Sequence, residues 1–398
     1  MEHKLSNIIN SLSESQTLAM TRLSRELKAQ GKDVISLSIG EPDFDTPQFI
    51  KDAAKKAIDE NYSHYTPVPG YPELREAISS KFKRDNNLDY SADQIVVSTG
   101  AKHSIANVSL SLLNPGDEVI IPAPYWVSYY EIIKLAGATP VSIPTTIEQD
   151  FKVSPEEIKK YINANTRMIW FSTPCNPSGS VYTKDELYAI AQLLKDYPDI
   201  IILSDEIYEH INFMGKHESI GQFDFIKDQV VTVNGVSKGF AMTGWRIGFI
   251  GAPKWIADAC TKMQGQFTSG TGSISQKAAQ AAMEADPSVT YEMKDAFERR
   301  KHLVLNLMKD IPGLKLNDPK GAFYVFPDVS SYFGKSAGDW KINNATDLTM
   351  YLLDQALVAL VTGEAFGDPN CIRFSYATSD DVLIESIKRI KEALAKLH

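Results

Sequence analysis

The chain is poor in cysteine. Cys175, Cys260 and Cys371 lie far apart, odd in number and without C-x-x-C spacing. Such usage argues against a disulfide framework or a structural zinc site, so no metal is expected and a reducing compartment is favoured. No apolar run approaches the roughly 20 residues that span a bilayer. The N-terminal stretch through Ser15 lacks the sustained apolar segment of a signal peptide. A soluble cytoplasmic protein without a membrane partner is therefore expected. Positive charge is also short: 41 Lys and Arg stand against 50 Asp and Glu, with no basic tail or stripe, so no nucleic-acid partner is expected. An anionic substrate stays admissible, because a few local cations can dominate a pocket. There is no G-x-G-x-x-G fingerprint for a dinucleotide, no internal repeat and no low-complexity tract.

What is present is enough chain, 398 residues, for two domains or one large domain with a satellite. From about residue 47, short β-branched runs alternate with helical stretches. The runs include Gln94–Ser98, Glu118–Ile121, Met168–Phe171, Ile200–Leu203, Val230–Val233 and Ile247–Ile250. Helical patterns such as Lys102–Leu113 and Lys184–Tyr197 lie between several of them. This alternation predicts an α/β fold with a mostly parallel sheet between helices. The last hundred residues read as α+β, with a long charged helix near Pro287–Lys309, strands near Leu357–Val361 and Ile372–Ser375, and a terminal amphipathic helix. The expected division is a large domain over 47–290 and a smaller α+β domain from 1–46, with its N-terminal arm, and 291–398.

Chemistry gathers at the predicted strand ends, where open α/β sheets bind ligands. The stretch from Asn234 to Gly248 places Lys238 just after an apolar strand and beside Ser237, with Arg246 a short glycine-punctuated turn later. A lysine there can form a Schiff base with an aldehyde while the serine and arginine hold a phosphate, which is what pyridoxal phosphate (PLP) requires. Gly100, Ala101 and Lys102 follow another strand and open a helix, so their amides form either an anion site or a plain βα turn. Asp205, directly after an apolar strand, needs a cation, and a protonated pyridine nitrogen is one. A metal or a helix cap are the alternatives. Tyr208 and Asn176 can both hydrogen-bond a phenolic ring oxygen, although Asn176 also reads as a turn residue. Trp126, after Tyr125, offers a flat face to a pyridine ring or simply belongs to the core. Arg373, between apolar residues on a predicted strand, suits a bidentate carboxylate or a structural ion pair.

Together these residues give a chain that resembles the fold-type I PLP enzymes, specifically the class I aminotransferases. It is most similar to the bacterial aspartate and aspartate/prephenate branch. The resemblance runs through Gly40-Glu-Pro-Asp-Phe-Asp-Thr-Pro47, Tyr65-Thr-Pro-Val-Pro-Gly-Tyr-Pro-Glu-Leu-Arg75 and Pro124-Tyr-Trp-Val-Ser-Tyr129. It continues through Asn176-Pro-Ser-Gly179, Ser204-Asp-Glu-Ile-Tyr-Glu-His210, the lysine stretch, Gly321-Ala-Phe-Tyr-Val325 and Arg373-Phe-Ser-Tyr-Ala-Thr-Ser379.

The resemblance implies that Lys238 forms the internal aldimine and then serves as general base and acid. Asp205 would pair with the pyridine nitrogen, Asn176 and Tyr208 with the phenolic oxygen, and Trp126 with the ring face. The phosphate would rest on Gly100–Lys102, Ser237 and Arg246. Tyr65 would reach the neighbouring subunit's cofactor, which implies a homodimer with shared active sites. Arg373 would take the substrate α-carboxylate, with Gly40, Trp126 and Asn176 close by. Ser15, Thr17 and Lys102 would meet an acidic side chain. The implied reaction is ping-pong amino transfer between amino-acid and 2-oxo-acid substrates, from L-aspartate to 2-oxoglutarate, giving oxaloacetate and L-glutamate.

Three departures from the branch bear on substrate. Gly100-Ala-Lys-His103 replaces the usual Gly-Gly-Lys-Gln, Ser13 and Glu14 stand where many members carry a basic residue, and Cys175 precedes Asn176. Prephenate, aromatic or neutral amino acids, and C–S lyase chemistry are the alternatives.

Overall fold

The computed structural model describes residues 5–398; residues 1–4, part of the segment assigned to the smaller domain, lie outside the described residues. A seven-stranded sheet forms the centre, from β1 (Ile95–Ser98), β2 (Glu118–Pro122), β3 (Thr139–Ile143), β4 (Thr166–Ser172), β5 (Ile201–Asp205), β6 (Val230–Gly235) and β7 (Gly248–Gly251). The order across it is β1-β7-β6-β5-β4-β2-β3. Every pairing is parallel except those of β7, which runs against both β1 and β6.

The sheet is buried on both faces, as the apolar runs require. Successive residues of one strand enter different cores: Ile201 and Leu203 pack in one cluster and Ile202 in another, and the same split divides Met168 and Trp170 from Ile169 and Phe171. The period-2 geometry of a strand sends them to opposite sides. The edge strand β3 is not among the predicted runs. It is half exposed and carries Pro140, which an edge tolerates because no ladder donor is needed there.

Covering helices are defined by their ends. In Lys184–Leu194, Thr183 Oγ1 accepts the Glu186 amide at 3.3 Å, and Glu186 Oε2 accepts the Thr183 amide at 2.7 Å. This reciprocal cap satisfies two otherwise free donors. The helix Ala101–Leu112 has no such cap.

A further hydrophobic cluster joins the helices Tyr291–Met308, Ala345–Gln355 and Asp380–Leu394 to short strands. The three-stranded sheet there puts Ile372–Ser375 between Val361–Thr362 and Tyr324–Val325, all antiparallel. Ahead of the large sheet, the strand Ile35–Ser36 is only two residues long, and its one partner, Val358–Ala359, is equally short. That pairing, extended by a hydrogen bond from the Ser375 amide to the Leu37 carbonyl at 3.3 Å, brings Ser38 and Gly40 beside Arg373. Among the described residues, no helix is long and apolar enough to cross a membrane.

Candidate active site

The carboxyl ends of β4, β5 and β6 face a cavity of about 260 Å3, and Lys238 lies at its centre between Gly40 and the Tyr208 ring. The Lys238 Nζ donates to the Gly40 carbonyl at 2.5 Å. Burial lowers the lysine to about 8; Glu41 opposes this and Arg373 and Arg246 reinforce it. A lysine so placed holds its proton less firmly than usual, which suits it to nucleophilic and base chemistry.

Asp205 ends β5 and is 4% exposed. Its Oδ2 accepts the Tyr129 hydroxyl at 2.5 Å and its Oδ1 the Ile207 amide at 3.2 Å. Burial pushes its carboxyl up to about 6 against those two bonds. Among the described residues no cation lies within ion-pair distance of it. The site is thus built to hold a negative charge that the protein itself does not neutralise.

On the other side, the uncapped helix Ala101–Leu112 presents its first-turn amides. Gly100 precedes it with φ 86°, and a Cβ there would collide with the Arg246 guanidinium. A Cβ on Gly248 would strike the Ala101 backbone, so glycine permits β7 to run against this turn. Arg246 adopts the left-handed region, φ 58°, and donates to the Thr243 carbonyl at 2.8 Å. A non-glycine residue held there is fixed by its surroundings. Buried Ser237 lines the same side. The result is an anion cradle of amides, hydroxyl and guanidinium.

Arg373, in the middle strand of the small sheet, is 2% exposed. It donates to Asn176 Oδ1 at 2.9 Å and to the Ser38 carbonyl at 2.5 Å, while its Nε has no partner. Burial lowers its affinity for the proton, with Tyr324 and Tyr208 opposing. No carboxylate pairs with it among the described residues. A buried guanidinium with a spare donor is matched by a carboxylate brought from outside.

The cavity therefore gathers most of the residues singled out from sequence. Trp126, Asn176, Ser15, Thr17, Ala101 and Lys102 all line it. The Lys102 ammonium lies 4.9 Å from the Trp126 ring centroid, and burial together with Arg246 lowers its pKa. Thr17 Oγ1 is buried without a partner. Tyr65 is not at this cavity: it is 100% exposed. His103 is also absent from the lining; its Nδ1 accepts the Thr99 amide at 3.1 Å, beneath the anion turn. Cys175 is buried, its thiol directed to the Pro124 carbonyl at 3.6 Å. Among the lining residues to which the sequence assigns no role are two hydrogen-bonding tyrosines. Tyr129 supports Asp205 from three positions after Trp126, and Tyr324 lies in Gly321-Ala-Phe-Tyr-Val325. The second motif was visible, but a tyrosine among phenylalanines reads as core.

A buried lysine, an unneutralised carboxylate and an anion cradle thus surround one cavity. The chain belongs to the family described as aminotransferase class I and II, which matches residues 32–390. It is 47% identical over 398 residues to a bifunctional aspartate aminotransferase and glutamate/aspartate-prephenate aminotransferase of Petunia hybrida, covering 99% of this chain and 83% of the relative. It is 44% identical to an aspartate aminotransferase of Bacillus subtilis, with 99% of both chains covered. The crystal structure of the aspartate aminotransferase from Rhizobium meliloti superposes with a TM-score of 0.96 at 39% identity, over 100% of both chains. The protein is an aminotransferase of fold-type I, a family that uses PLP, and the site fits that group: Asp205 lacks a cation and the Gly100 cradle is kept clear for an anion.

Proposed function

We propose that the chain is an aspartate aminotransferase, carrying the amino group of L-aspartate reversibly to 2-oxoglutarate by ping-pong chemistry, with PLP as cofactor. The observation that carries this reading is Arg373, a buried guanidinium without a carboxylate partner that opens on the same cavity as Lys238 and Asp205. When bound, PLP supplies an aldehyde for the substrate nitrogen and a protonated ring that accepts the electron pair left at the α-carbon.

The chain's own residues do the rest. Asp205 keeps the ring nitrogen protonated, held in place by Tyr129. Ser237, Arg246 and the Gly100–Lys102 amides hold the phosphate, and Trp126 covers the ring. Asn176, whose oxygen is engaged by Arg373, offers its amide nitrogen as a donor to the phenolic oxygen beside Tyr208. Arg373 fixes the α-carboxylate and so decides which α-bond is turned for cleavage. Lys238 Nζ, already shifted toward its neutral form, takes the α-proton and returns it. Ser15, Thr17 and Lys102 receive the second carboxylate; the unpartnered Thr17 hydroxyl supports that assignment.

A prephenate activity is the second reading, favoured by the name of the Petunia relative. It is set back by Ser13 and Glu14: the Ser13 amide donates to Glu131 at 3.0 Å and Glu14 occupies Arg22 at 2.7 Å, so neither residue supplies an unpaired cation there. Tyr65, fully exposed and away from its own cavity, supports a homodimer in which it serves the neighbouring subunit's cofactor. A cytoplasmic enzyme with the large unit over 47–290 completes the proposal. A hydrophobic cluster drawn mainly from residues beyond 290, distinct from those that flank the central sheet although it takes in Ile207, Tyr208 and Ile211, supports the division.

A screen of single amino acids without an oxo-acid acceptor, reading cofactor absorbance and released oxo acid, tests the substrate. L-Aspartate should react fast and L-phenylalanine slowly. Fast reaction with phenylalanine and none with aspartate would overturn the reading.

A further inference from the structure

We propose that Tyr324 is a positioning residue that joins the carboxylate clamp to the cofactor-tuning hydroxyl of Tyr208. The inference rests on the function proposed above. Tyr324 is fully buried, and its hydroxyl lies 2.7 Å from that of Tyr208. A tyrosine hydroxyl has one proton. If Tyr208 is to donate into the cavity, the proton between the two oxygens belongs to Tyr324, which has no other hydrogen-bond acceptor among the described residues. A donor behind a donor strengthens the outer bond. The flat face of the same ring lies 4.6 Å from the Arg373 guanidinium carbon, which holds the guanidinium in one plane. The third contact is with Gly40, where any Cβ would collide with the Tyr324 hydroxyl, and the Gly40 carbonyl accepts Lys238 at 2.5 Å. Hydroxyl and ring thus have separable duties: the hydroxyl acts on Tyr208, the ring on Arg373.

The test uses PLP-loaded protein with Tyr324→Phe and Tyr324→Leu, and succinate as an unreactive dicarboxylate. A hydrogen bond donated to the phenolic oxygen weakens that oxygen's hold on the proton it shares with the adjacent nitrogen. Losing the Tyr324 donor should therefore move the pH midpoint of the visible absorbance upward, by roughly half a unit. Tyr324→Phe, which keeps the ring, should bind succinate within about twofold of the parent, and Tyr324→Leu roughly fivefold more weakly. An unmoved midpoint in Tyr324→Phe overturns the inference while the proposed function stands. Equal loss of succinate binding in both variants overturns the separation of duties. Should Tyr324→Leu fail to fold, the Phe midpoint still decides. Parent protein that neither binds succinate nor responds to L-aspartate overturns the proposed function and this inference with it.

Discussion

One seven-residue stretch, Ser204–His210, contributes charge to two buried places that behave in opposite ways. Asp205 enters the cavity, where it has hydrogen-bond donors but no cation. Glu206 and Glu209 turn away from it. Glu206 Oε1 accepts the Ser204 and Ser219 hydroxyls at 2.8 and 2.6 Å, and its Oε2 lies 3.0 Å from His217 Nε2. Glu209 is paired with Lys81, accepts Asn86 Nδ2 at 2.7 Å, and lies 3.1 Å from His210 Nε2. Burial opposes ionisation of both Asp205 and Glu209. It wins at Asp205, pushed up to about 6, whereas Lys81 and His210 hold Glu209 well below the usual carboxylate range. Depth alone therefore does not mark a functional charge. The mark is a buried charge whose partner is missing, and Asp205, Lys238 and Arg373 carry it together around one cavity.

The largest effect that could break this contrast is at Lys238. Lys238→Ala should lose activity by roughly 10⁴-fold or more, since both nucleophile and proton carrier are removed, without loss of thermal stability. A variant that kept normal turnover would end the comparison. Glu209→Gln should cost about 3–5 kcal/mol by leaving Lys81 buried without its main partner, read as a lower Tm at neutral pH. Replacing Arg373 by Leu should lower kcat/KM for L-aspartate by roughly 10²-fold or more, the range expected when a buried charge pair is truncated.

The smallest effect sharpens the contrast most, because its sign reverses. The raised Asp205 carboxyl penalises the ligand-free fold above about pH 6, and the penalty fades as the pH falls from there toward the unfolded carboxylate range near 4. The depressed Lys238 adds a like penalty that grows as pH falls from the unfolded lysine range near 10 and is complete below about 8. Asp205→Asn should consequently stabilise cofactor-free protein at about pH 7.5 by roughly 1–3 kcal/mol while impairing turnover. Glu209 behaves oppositely: its stabilisation is present above the unfolded carboxylate range and is lost on acidification. Tm profiles against pH for the two variants would show the opposition or refute it.

Much of this was legible before the fold was seen. Apolar runs punctuated by polar residues announced a sheet buried on both faces, and the residues at those ends meet at one cavity because parallel strands deliver their carboxyl ends to the same edge. Strand direction was not legible: nothing local in Gly248–Gly251 says that β7 runs against its neighbours. Tyr129 and Tyr324 were missed for a related reason. Their rings satisfy every requirement of core packing, and only a three-dimensional neighbour, the Asp205 carboxylate or the Tyr208 hydroxyl, reveals that the hydroxyl is used. His103 was legible as a departure but not as a support beneath the anion turn, because a helix-start histidine can face either way.

The most direct measurement is borohydride reduction of PLP-loaded protein followed by peptide mass spectrometry, with and without prior L-aspartate. The account predicts a pyridoxyl phosphate adduct on the Lys238 peptide that disappears when aspartate is added first. An adduct on another lysine, or one on Lys238 that aspartate leaves intact and phenylalanine removes, would contradict it.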